Sequence, residues 1–106
     1  MERDLGLIIK LEGERGDVLA SIADTNNYLG PLLPLDEGSP SALLKYIDLY
    51  GDTTFNQLQM ADFLDEWSRL YSLATSDAER KMLRAVENLG RKCASEAHLY
   101  LKFYGD

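Results

Sequence analysis

Met60, Phe63, Leu64, Trp67, Leu70, Tyr71 and Ala74 fall three or four residues apart, and Asp62, Asp65, Glu66 and Arg69 fall between them. That period belongs to an α-helix with one apolar face. Such a face has to be buried, so the rest of the chain must supply an apolar layer to receive it. Just upstream, Thr54-Phe55-Asn56-Gln57 has the pattern of a capping box, which predicts a helix from about Thr54 to Ala74. Ser76-Asp77-Ala78-Glu79 is a second such box. It opens a helix that turns Met82, Val86, Leu89 and Cys93 inward and runs to about Ala94. So few residues separate the two that an antiparallel helical hairpin is expected.

The receiving layer is expected to be a sheet. Leu5 to Leu11 has apolar residues on both parities, as in a strand covered on part of both faces. Gly13 and Gly16 then break it. From Asp17 to Leu29 the spacing of Val18, Leu19, Ile22 and Ala23 predicts a helix, with Asp17 as its cap and Gly30-Pro31 as its stop. Leu43 to Tyr50 is rich in bulky and branched residues and ends at a Gly-Asp break, which predicts a strand. At the end of the chain, Leu99, Leu101 and Phe103 alternate with His98, Tyr100, Lys102 and Tyr104. The expected fold is α+β, a single small domain over residues 1–106. It has about three strands with a helical layer, in the order β-α-β-α-α-β, and its first and last strands lie side by side. Residues 30–40 hold all three prolines and are expected to form a loop that packs Leu32, Leu33 and Leu35 back on the domain.

Composition narrows the function classes. Of the 106 residues, 45% are apolar, which is enough for one core and too many for a disordered chain. The net charge is −7, and the first 53 residues carry ten acids against four bases. Phosphate backbones and anionic lipid repel such a chain, so neither nucleic acid nor a membrane is the expected partner. A basic protein or a cation fits the field better, although charge of this sign also serves solubility. Cys93 is the only cysteine, which excludes an intrachain disulfide. With no secretion pattern and no long apolar run, the expected compartment is the cytoplasm.

No hydrolase, phosphate-loop or dinucleotide motif is present, so no catalytic residue and no cofactor is assigned. One histidine cannot build a multi-histidine metal site, and no metal ligand is assigned. Asp48, Asp52 and Asp106 leave a carboxylate cation site as a minor alternative. Cys93 lies in an apolar stripe and reads as a buried structural thiol. Arg80, Lys81, Arg84, Arg91 and Lys92 read as a solvated helix face, with the acidic half of another copy as a second use.

Two clusters remain. Between Asp48 and Gln57, carboxylates, a phenol, an amide and hydroxyls crowd a junction where a strand is expected to meet a helix. Asp48, Tyr50, Asp52 and Asn56 are the binding candidates there, against the plainer reading that the segment only turns and caps. The second cluster is His98, Tyr100 and Tyr104, on the polar face of the last strand.

The stretches Tyr50-Gly51-Asp52-Thr53-Thr54-Phe55-Asn56-Gln57-Leu58-Gln59-Met60 and His98-Leu99-Tyr100-Leu101-Lys102-Phe103-Tyr104-Gly105-Asp106 resemble parts of a group of small bacterial proteins. The resemblance implies a bacterial source. It carries no activity and no functional residue. The expected function is a protein-binding module, of the inhibitor or immunity type, for a basic protein. A small-ligand or cation-binding domain, or a weak enzyme, at the Asp48–Gln57 junction is the alternative from another class. A structural homodimer is a third.

Overall fold

The computed structural model describes residues 6–35, 38 and 41–105. The chain forms β1 (Ile8–Gly13), β2 (Val18–Ala23), β3 (Asp52–Asn56), α1 (Met60–Ser68), α2 (Asp77–Ser95) and β4 (Leu99–Tyr104). The strands make one antiparallel sheet in the order β2-β1-β4-β3. The fold is α+β as expected, with four strands in place of about three, and β1 and β4 do lie side by side.

Three expectations are corrected. Asp17 to Leu29 is not a helix: Val18–Ala23 is the edge strand β2. The turn before it is too tight to start a helix, because Gly13 N–H donates to the Asp17 carbonyl at 2.8 Å and Gly16 adopts a φ of +87°. Ala20 and Ile22 then alternate inward against Leu11 and Ile9. After the strand, Asp24 is fully buried and its carboxylate accepts the amides of Tyr28 and Leu29 at 3.0 and 2.8 Å, closing the segment as a turn.

Leu43 to Tyr50 is not a strand. Leu44–Tyr46 is a 3₁₀ turn. The cause lies over twenty residues away: the Glu66 carboxylate accepts the amides of Ala42, Leu43 and Leu44 at about 3 Å and the Ser41 hydroxyl at 2.6 Å. Those amides have no need of a strand partner. The carboxyl group is partly buried, which alone would raise its pKa, but the Ser41 hydroxyl and the three amides outweigh that and hold it below the ordinary range.

The helix expected from Thr54 starts later. Thr54 lies inside β3, and Asn56 is the cap: its Oδ1 accepts Gln59 N–H at 3.1 Å, and Gln59 Oε1 accepts Asn56 N–H at 2.8 Å. A 3₁₀ turn over Gln57–Gln59 leads into α1, and another over Arg69–Leu73 follows it. Gln57, the expected cap partner, instead donates from Nε2 to the Ala94 carbonyl at 3.1 Å. The Ser76–Glu79 box is present as expected.

The helices cover one face of the sheet. Phe55 and Phe103 from the strands meet Phe63 and Trp67 from α1, with Phe63 and Trp67 stacked at 5.4 Å and Phe55 edge-on to Phe103 at 5.9 Å. Trp67 is fully buried, and its Nε1 donates to the Leu83 carbonyl of α2 at 2.9 Å. Gly90 lets α2 close on α1, since a Cβ there would stand 2.9 Å from Leu64 Cδ2. Cys93 is buried beneath β4, and burial raises its thiol pKa. Leu32 and Leu33 of the proline segment pack into the same core.

Candidate functional site

Because side chains alternate along a strand, burying Ile9, Leu11, Phe55, Leu101 and Phe103 against the helices turns their neighbours to the opposite face. That face carries Ile8, Lys10 and Glu12 of β1, Tyr100, Lys102 and Tyr104 of β4, and Asp52, Thr54 and Asn56 of β3. The register sets them in rows: Ile8 beside Tyr104 beside Asp52, Lys10 beside Lys102 beside Thr54, and Glu12 beside Tyr100 beside Asn56. Asp52, Thr54 and Asn56 are exposed, so the face is open.

Asp52 and Asn56 of the first cluster therefore share one surface with Tyr100 and Tyr104 of the second, and each end of that surface draws on both clusters. Asn56, His98 and Tyr100 line a shallow depression of about 340 Å³ with Gln57, Leu58, Ala97 and Leu99. Tyr100 is shared with a neighbouring depression of about 230 Å³ formed with Gly13, Glu14, Gly16, Thr54 and Lys102. His98 has a φ of +67°, a left-handed conformation that costs a non-glycine residue free energy, and its Nδ1 stands 3.5 Å from Glu14 Oε1.

Asp52 and Tyr104 lie at the other end as cross-strand neighbours. Asp48 and Tyr50 sit in the turn that enters β3. Asp48 N–H donates to Thr53 Oγ1 at 3.0 Å and Asp48 Oδ1 accepts Tyr50 N–H at 2.8 Å. Asp48 thus has a turn-forming role, while the Tyr50 ring is 83% exposed. Among the described residues no group of three or more histidine, cysteine, aspartate or glutamate side chains stands ready to hold a metal ion. Asp106 lies outside the described residues.

At the centre of the face Tyr104 was a candidate from sequence, while Glu12, Lys10 and Lys102 were not. Glu12 is only 4% exposed although it lies on the open side, because Tyr104 and Lys102 cover it. Tyr104 donates its hydroxyl to Glu12 Oε2, and Lys102 Nζ stands 3.1 Å from Glu12 Oε1. Lys10 Nζ lies 5.1 Å from the centre of the Tyr104 ring. Burial pushes the Glu12 pKa up, but Tyr104, Lys102 and the nearby Lys10 charge outweigh it and leave the group below its ordinary range. The same contact, with burial and the charges of Glu12 and Asp52, raises the Tyr104 pKa to about 12. The available signal was the period-two pattern of Ile8, Lys10 and Glu12, which matches that of Tyr100, Lys102 and Tyr104.

A tyrosine held protonated and a carboxylate held ionised are poor proton donors and acceptors at neutral pH. The cluster stiffens the middle of the surface, and the exposed hydrogen-bonding and aromatic groups lie around it. No helix among the described residues is long and apolar enough to cross a membrane. No family model, curated protein or solved structure matches the chain.

Proposed function

We propose that this chain is a protein-binding module whose contact surface is the open face of the sheet, and that its partner is a basic protein that it inhibits or neutralises in the cytoplasm. One observation carries the reading: Asp52 and Asn56 of one cluster and Tyr100 and Tyr104 of the other fall on the one sheet face that the helices leave uncovered, around a Glu12 whose oxygens are already bonded. Aromatic anchors inside a polar margin suit protein contacts better than small ligands. The depressions are too shallow to bury most of a small molecule. Exposed Glu14, Asp17, Asp48 and Asp52 border the face and would steer a cationic partner to it, in keeping with the net charge of −7. The single buried thiol suits a reducing compartment.

The test is capture from the native host's lysate with the wild-type chain, followed by titration of the captured protein. Tyr100→Ala should weaken binding about tenfold or more, as removal of an interface anchor does. Asp52→Asn should lower the association rate mainly at low salt. Capture that survives both changes, or an association rate indifferent to salt, would remove the proposal.

A further inference from the structure

The outer edge of the sheet at β2 has its own chemistry. Asp24 N–H donates to the Leu7 carbonyl at 2.9 Å, so Leu7 and Asp24 form a bonded pair of the antiparallel ladder. Bonded pairs alternate, and the register pairs Ile9 with Ile22 and Lys10 with Ser21. The N–H and C=O groups of Ser21 and Ala23 therefore point away from β1, toward an edge that no strand among the described residues pairs with. The strand reads Val-Leu-Ala-Ser-Ile-Ala. It has no charge and no proline, the usual guards of an edge. Val18 and Leu19 are about half exposed, at 50% and 52%. The other edge, β3, is guarded by Asp52 and by the turn that bonds to Thr53.

We infer that β2 pairs with β2 of a second copy of this chain, antiparallel about a two-fold axis at Ser21, joining two sheets into one of eight strands. Ser21 and its symmetry mate then exchange two backbone hydrogen bonds, and of the outward-facing residues only an axis at Ser21, not at Ala23, keeps Leu19 to Ala23 paired within the strand. Leu19 comes opposite Ala23 of the second copy, and Ala20 opposite Ile22. Charge selects the same register. In a chain of net charge −7, copies repel almost everywhere, but here Asp17 meets Thr25, and Val18 meets Asp24, whose carboxylate is already held by two amides. A shift of one residue would set Asp17 against Asp24. The open faces of the two copies become continuous, so the dimer is compatible with the binding role proposed above but does not depend on it.

A single added strand buries less than the roughly 1,600 Å² of a standard interface, so the dimer should be a concentration-dependent equilibrium. Sedimentation of the full chain at loadings up to about 1 mM, the weak end of specific association, should show it. Ser21→Lys sets two like charges on the axis and should return the chain to monomer, with a modest fall in melting temperature because Lys10 lies opposite it in its own sheet. Ser21→Cys should cross-link to itself under diamide in high yield, since facing strand residues satisfy disulfide geometry and Cys93 is buried. Leu19→Cys should not, because its two copies would stand about 13 Å apart along the strands. A chain that stays monomeric throughout, a dimer that survives Ser21→Lys, or cross-linking as ready at position 19 as at 21 would overturn the inference.

Discussion

Glu12, Tyr104 and Trp67 are the side chains whose surroundings make the sharpest demands. Glu12 sits out of water on a face that is otherwise open, and its oxygens are taken by Tyr104 and Lys102. Glu12→Gln keeps the shape but removes the charge that holds both partners, and should cost about 1–3 kcal/mol. The pH dependence follows from the direction of the shifts. The Glu12 pKa is lowered from 4.5 by folding, so its stabilisation is present above that value and is lost as pH falls through the lower folded value. The gap in melting temperature between wild type and Glu12→Gln should therefore close in acid. Tyr104 and Tyr71 are raised from 10.0 to about 12, so stability should decline as pH climbs between those values. Urea unfolding over the pH range checks both, and a gap that widens in acid would contradict the assignment. Trp67→Ala should cost about 3–5 kcal/mol, because it leaves a cavity against the rings of Phe63 and Phe103. Trp67→Phe should cost less but more than nothing, since it gives up the bond to the Leu83 carbonyl.

At the scale of elements, the cap of the first helical stretch offers a direct comparison. Asn56→Ala should cost about 1 kcal/mol, while Thr54→Ala, on the exposed side of an edge strand, should stay within about 0.5 kcal/mol. Chemical denaturation of the two variants measures both, and the reverse order would restore Thr54 as the cap. The sequence pattern pointed to Thr54, two residues too early, because the β3 pairing of Thr53 and Thr54 with Phe103 and Lys102 carries the strand past it to Asn56. The α-helices, β4 and the buried places of Trp67 and Cys93 could be read from periodicity, because each of these elements buries a regular stripe. β2 could not, since Val18, Leu19, Ile22 and Ala23 fit both a helical face and a half-covered edge strand. The segment from Leu43 to Tyr50 was equally hidden, because what bends it is the Glu66 carboxylate, brought there only by the tertiary fold. Of the candidate site, all seven residues were visible as polar or aromatic groups. The meeting of Asp52 and Asn56 with Tyr100 and Tyr104 on one face was not, because it depends on β3 pairing with β4; Asp48 and Tyr50 stay in the turn, and Glu12 was counted only as one acid among many.

Among the described residues the molecule is a sheet with one face committed to helices and the other left open, in a chain of net charge −7. The two ends of the open face carry different chemistry. Asn56, His98 and Tyr100 offer hydrogen bonds and an aromatic anchor at one end, and Asp52 and Tyr104 offer a carboxylate and a ring at the other. His98→Gly separates fold from function at the first end. Glycine relieves the left-handed backbone at that position, so stability should hold or rise by up to about 1 kcal/mol while binding weakens. The most direct test of the central claim is calorimetric titration of the captured partner with four chains: wild type, Tyr100→Ala, Asp52→Asn, and Arg80→Ala on the helical side. The account predicts weakened binding for both sheet-face variants, an unchanged affinity for Arg80→Ala, and folded protein in every case. Full affinity in both sheet-face variants together with a loss in Arg80→Ala would contradict it and move the binding surface to the helices.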